Sequence, residues 1–152
     1  MEIYHYEGDL HELAKWAVNR GMGIKYQEPP AAFQKVIGEL LPEGLIGHFV
    51  NVQITESPND GEWADRFPHV HMDPENSCGW EKDTYTLLTY LATDIEGGEF
   101  ALGGESPDDP YEIVKVEPGM IIKVNEATWH GVRKCGKGIR LSIVTTSFKV
   151  HE

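Results

Sequence analysis

The segment Phe67-Pro-His-Val-His-Met-Asp-Pro74 carries two imidazoles and a carboxylate at alternate positions. In an extended strand, residues i, i+2 and i+4 share a face, so His69, His71 and Asp73 would all point the same way. Such donors converging on one face suit a divalent metal ion. A set of two histidines and one carboxylate also leaves the opposite coordination face open, which is where further ligands could enter. The pair His71-x-Asp73 is weak evidence by itself and needs support from elsewhere in the chain.

That support comes near the C-terminus. His130 falls in a short β-rich run that predicts a strand over 128–134, and Arg140 falls in the run 138–149. Gly136-Lys-Gly138 reads as a turn, so antiparallel pairing would bring Arg140 back toward His130. Arg140 is surrounded by Gly138-Ile-Arg-Leu-Ser-Ile-Val144, an otherwise apolar stretch. A guanidinium turned into a protein interior needs an anion, and its planar fork matches a carboxylate bidentately. A ligand set of two histidines and one carboxylate with an open face is the pattern of non-haem Fe(II) oxygenases.

Other residues are candidates of a weaker kind. His69 suits either an alternative fourth ligand or a position lining the pocket. Trp63 and Trp80 lie in loops flanking the His69–Asp73 strand, where an aromatic either walls a substrate pocket or covers a sheet edge. Trp129, next to His130 in an extended run, should face the other way and pack. Cys78 and Cys135 have no activating base in their local sequence, so neither reads as a nucleophile.

The elements that must hold these groups divide the chain in two. Residues 9–20 place Leu10, Leu13, Ala14 and Ala17 on one helical stripe, with Asp9 at the N-cap and Gly21 at the end. Gln27-Glu-Pro-Pro30 interrupts, and a second amphipathic helix follows at about 31–41, closed by Pro42 and Gly44. Beyond Gly44 the helical period vanishes. Short β-rich runs follow at 45–55, 67–73, 84–93, 98–102, 111–116, 119–124, 128–134 and 138–149, separated by turn residues such as Gly97-Gly98 and Pro118-Gly119. Strands after two helices predict a mainly β fold with N-terminal helices, a small double-sheet jelly roll of cupin-like, double-stranded β-helix form. A seven-strand sandwich is the competing architecture. A single domain is expected over 1–152, with 1–44 as helical support and 45–149 as the β core.

Composition narrows the partners. The chain has 152 residues, with 13 Lys and Arg against 25 Asp and Glu, for a formal charge of −12. That surface repels phosphate backbones and anionic headgroups, so neither nucleic acid nor a membrane is an expected partner. No apolar run approaches the roughly 20 residues of a membrane helix. Met1-Glu2-Ile3-Tyr4-His5 lacks the basic and apolar regions of a secretory signal, and only two cysteines occur, so a reducing, cytoplasmic location is expected.

Taken together, His71-x-Asp73, His130 and Arg140-x-Ser142 resemble the 2-oxoglutarate/Fe(II)-dependent oxygenases. Thr86-Leu-Leu-Thr-Tyr-Leu-Ala-Thr-Asp-Ile-Glu-Gly-Gly-Glu99 and Pro118-Gly119-Met120 are similar to the prolyl 4-hydroxylase-type branch, over about residues 45–149. The resemblance implies a double-stranded β-helix with Fe(II) held by His71, Asp73 and His130. It makes Arg140 the anchor for the far carboxylate of 2-oxoglutarate, with Tyr90 and Ser142 as helpers. It implies that O₂ and 2-oxoglutarate yield succinate and CO₂ as an aliphatic C–H is hydroxylated, with ascorbate a candidate reductant. The substrate would be a prolyl residue in a peptide, free proline or another small molecule. The chain departs from the branch at Ala92-Thr93, where Asn-Asp is usual, and it has little beyond the core, which speaks against a large protein substrate. Two rival classes stay open: a three-histidine cupin dioxygenase built on His69, His71 and His130 without 2-oxoglutarate, and a non-catalytic jelly roll that binds a small acid.

Overall fold

The computed structural model describes residues 2–21, 28–55, 84–104, 106, 108–125, 128–133 and 135–148. Helix α1 spans Leu10–Gly21. Asp9 caps it, its Oδ1 accepting the Glu12 N–H at 3.1 Å, and Glu12 and Arg20 at opposite ends complement the helix dipole. Leu13 and Ala17 are fully buried as the period predicts, with Leu10 and Ala14 packed beside them. Trp16 joins them. It stands one turn from Leu13, and its ring meets Phe33 at 6.4 Å and His48 at 5.4 Å.

Helix α2 spans Ala31–Leu40 and starts directly after Pro30, whose extended ψ of 145° cannot continue a helix backwards. It buries Phe33 and Ile37 on the same cluster as α1.

Among the described residues, eight strands make two antiparallel sheets. The larger has the order β1-β6-β3-β8-β2 and the smaller β5-β4-β7. Their ranges are β1 Glu2–His5, β2 Leu45–Thr55, β3 Tyr85–Gly97, β4 Phe100–Leu102, β5 Glu112–Val114, β6 Met120–Asn125, β7 His130–Val132 and β8 Cys135–Phe148. The helices cover one face of the large sheet through Leu87, Leu91, Ile121, Leu141 and Ile143. On the other face Tyr90, Met120, Ile122 and Val124 form a second cluster with Phe100, Val116 and, from the small sheet, Leu102 and Val114. The large sheet is thus buried on both sides, which is why its central strands read as continuous apolar runs. Among the described residues, no helix is long and apolar enough to cross a membrane.

Two expectations are corrected. The segment 1–44 is not wholly helical, because residues 2–5 form β1 against β6, with Glu2 opposite Lys123 and His5 opposite Met120. Four residues are too few to display a period, and what makes them a strand is the edge of β6, a partner more than a hundred residues away.

Gly136-Lys-Gly138 is also not a turn. It lies inside β8, which pairs with β3 and β2 in the large sheet, whereas β7 pairs with β4 in the small one. The chain changes sheets between β7 and β8 instead of folding back within one sheet. Gly138, at φ 145°, lies so close to β3 that a Cβ there would collide with the Asp94 carbonyl oxygen. Its glycine serves a close backbone approach.

Candidate functional site

Side-chain alternation along β8 puts Leu141 and Ile143 on the helix side and Arg140 and Ser142 on the side facing the small sheet. Register then assembles a row. Ser142 stands opposite Tyr90 of β3 and Asn51 of β2, and Arg140 stands opposite Thr93. Directly opposed residues share a face, so Arg140, Ser142, Tyr90, Thr93 and Asn51 belong to one surface. A register shift between Tyr90 and Ala92 places Thr93, rather than Ala92, on that surface opposite Arg140. The Tyr90 carbonyl is held by the Gly119 N–H at 2.7 Å, in a turn closed by Met120 N–H to Glu117 O at 3.1 Å. Pro118 with Gly119 at φ 89° is type II turn chemistry, as its composition predicts.

Arg140 is 4% exposed. Its Nη1 donates to the Gly98 carbonyl at 3.5 Å, and its Nε has no hydrogen-bond partner among the described residues. No described carboxylate pairs with it. A buried cation in that state is costly until an anion supplies the missing acceptors. Tyr90 is equally buried. Burial pushes its hydroxyl up to about 12, overcoming the pull of the Arg140 charge in the other direction, so at neutral pH the phenol remains a hydrogen-bond donor. Ser142 adds a buried hydroxyl between them.

His130 opens β7, opposite Leu102 in the small sheet, and is 7% exposed. Its ring tilts against Phe100 at 6.1 Å, and Nδ1 lies 2.7 Å from the Thr128 carbonyl oxygen. A carbonyl can only accept, so Nδ1 carries the proton, and in the neutral ring Nε2 then carries the lone pair. This is the tautomer and the kind of backbone contact that orient a metal-binding imidazole.

Of the predicted site residues, the structure brings Arg140, Tyr90 and Ser142 onto one face and sets His130 on the facing sheet. It does so by a sheet-to-sheet crossing, since Arg140 and His130 do not sit on one hairpin. His71, Asp73, His69, Trp63 and Trp80 lie outside the described residues. Among the described residues, no group of three or more histidine, cysteine or acidic side chains could hold a metal. Trp129 is half-buried, and its backbone bonds to Gly103 and Gly104.

Sequence reasoning does not place Asn51, Thr93, the Gly98 carbonyl or Cys135 beside Arg140: Thr93 stands only as a departure from the branch, and Cys135 only as a thiol without an activating base. The Gly97-Gly98 pair was the only local signal. Both residues have positive φ, 69° and 75°, at the crossing from β3 to β4.

No protein-family profile matches the sequence, and no curated protein matches it. Solved structures do match the fold. A 2OG-Fe(II) oxygenase family oxidoreductase from Burkholderia pseudomallei superposes with a TM-score of 0.53 at 17% identity, over 81% of this chain and 56% of its own. A prolyl-4-hydroxylase from Pseudomonas putida superposes with a TM-score of 0.64 at 11% identity, over 99% of this chain and 92% of its own. The chain shares the fold of these two proteins and spans little more than half the length of the first.

Proposed function

We propose that this chain is a single-domain, double-stranded β-helix dioxygenase that uses Fe(II), 2-oxoglutarate and O₂ to hydroxylate an aliphatic C–H bond. The observation that carries the reading is the buried Arg140 guanidinium, its Nε without an acceptor among the described residues, in a row with Tyr90 and Ser142. The fold shared with the two oxygenases supports it.

The residues fit the absent groups. Arg140 offers its Nε–H, which has no partner among the described residues, to the distal carboxylate of 2-oxoglutarate, and that anion supplies an acceptor for it. Tyr90, kept protonated by burial, donates to the same anion, and Ser142 contributes a hydroxyl between them. His130 would hold iron through Nε2, its ring fixed by the Thr128 carbonyl, with His71 and Asp73 as the remaining protein ligands. When bound, iron supplies the redox chemistry by which O₂, the keto acid and the substrate C–H become succinate, CO₂ and an alcohol. Phe100, Met120, Ile122 and Val124 form the apolar cluster on the face of the large sheet that carries Tyr90.

The substrate is a small molecule or a peptide, with a prolyl residue or free proline the first choice, and a reducing cytoplasm is the expected setting. Adding Fe(II) and then 2-oxoglutarate to metal-free protein without oxygen should raise the weak visible charge-transfer band of a chelated 2-oxo acid. The band should vanish in Asp73→Ala and in Arg140→Ala. Iron binding without the band would refute the 2-oxoglutarate reading and leave a three-histidine centre. Absence of iron binding would leave only an acid-binding module.

A further inference from the structure

One end of the sheet pair is closed by the two places where the chain changes sheets. β3 ends at Gly97 and reaches β4 at Phe100 through Gly98 and Glu99, and β7 ends at Val132 and reaches β8 at Cys135. The crossings are bound to each other: Gly97 pairs with Cys135, and the Arg133 N–H donates to the Glu99 carbonyl at 2.8 Å.

Arg140 reaches into this closed end. A Cβ built on Gly98 would stand 3.3 Å from Cys135 Sγ and 3.9 Å from Arg140 Nη1, so thiol and guanidinium border one point. Cys135 is fully buried, and its thiol donates to the Arg133 carbonyl at 3.6 Å. Gly98, also buried, is at φ 75°, where a side chain would be strained even if it had room.

We propose that Gly98 and Cys135 are the floor beneath Arg140 and set the length of the 2-oxo diacid that this arginine accepts. The inference rests on Arg140 being the carboxylate anchor. The physical reason is packing. Gly98 contributes no side chain and Cys135 a single heavy atom beyond Cβ, and both are pinned by hydrogen-bonded crossings. A floor held at that depth cannot yield to an acid one methylene longer, and an acid one methylene shorter leaves Arg140 out of reach. Selectivity among diacids therefore resides in Gly98, whose carbonyl holds Arg140 Nη1, and in Cys135, which borders the same point.

The test is calorimetric titration of the Fe(II)-loaded full chain, without oxygen, with 2-oxoglutarate, 2-oxoadipate and oxaloacetate in turn. Cys135→Ala lowers the floor and should cut the preference for 2-oxoglutarate over 2-oxoadipate about tenfold, the scale on which one methylene is discriminated. Cys135→Val raises the floor and should shift preference toward oxaloacetate by a similar factor. Iron affinity and the unfolding midpoint serve as checks on folding. If Cys135→Val does not fold, Cys135→Ala decides alone. Wild-type ratios retained in a folded variant overturn the proposal while leaving the oxygenase reading intact. If the wild-type protein binds none of the three acids, the anchor role of Arg140 falls and the floor falls with it.

Discussion

His48 makes stability depend on pH in a way that can be worked out from its surroundings. It lies on β2 on the helix side, edge-on to Trp16 at 5.4 Å and tilted against Phe33 at 6.2 Å, with Nδ1 3.0 Å from Thr145 Oγ1. Burial, with the Arg20 charge adding to it, pushes its pKa down from 6.5 to about 4. The folded state therefore favours the neutral ring, while the unfolded chain takes up the proton at higher pH. This contribution is complete above pH 6.5 and is lost as pH falls toward 4. A shift of about 2.5 units at about 1.36 kcal/mol each sets a ceiling of about 3.4 kcal/mol, and about half of that survives because the ring is only partly removed from solvent. At about pH 5 the expected loss is about 1 kcal/mol, or about 0.5 M in urea midpoint. The assay is urea unfolding at about pH 7.5 and about pH 5, for wild type and His48→Gln. The other histidines and the carboxylates titrate in both proteins, so the difference isolates His48. Wild type should lose about 1 kcal/mol more than the variant over this interval. Parallel losses would refute the reasoning. Arg20→Gln, which removes the secondary cause, should shrink the difference.

Two glycines should respond to alanine with opposite signs. Gly138→Ala puts a Cβ into the Asp94 carbonyl at a φ that alanine avoids, and should cost at least about 3 kcal/mol in urea unfolding. Gly38→Ala, in α2 with nothing within 4 Å of the added atom, should stabilise by about 0.5–1 kcal/mol. Tyr90→Phe removes a buried donor but keeps the ring, and should weaken 2-oxoglutarate binding about fivefold without changing iron affinity. Leu13→Ala, fully buried between helix and sheet, should cost about 2–5 kcal/mol by thermal or urea unfolding.

What could be read from the sequence alone is what short-range physics controls. A helix declares itself through a stripe of apolar residues and a cap, so α1 and α2 lie within a residue of the expected 9–20 and 31–41, with Asp9 capping as its side chain predicts. The strand expected at 45–55 coincides with β2, and Pro118-Gly119 makes the turn its composition demands. Alternation within β8 is short-range too, and it puts Arg140 and Ser142 on a common face.

Contacts distant in sequence decided the rest. β1 exists because β6 offers it an edge, and nothing inside residues 2–5 announces that. Gly-Lys-Gly is turn-like in composition, yet Gly138 is there because Asp94 of another strand presses against it. That Tyr90 faces Ser142 depends on a strand register and its bulge, and that Arg140 is buried, contacts the Gly98 carbonyl and lies near Cys135 depends on two sheet crossings meeting at one end. A residue's type and its near neighbours determine which chemistry it can do. Whether that chemistry has partners is decided by strands that find one another across the fold, since only pairing and packing over long separations fix which side chains share a buried face.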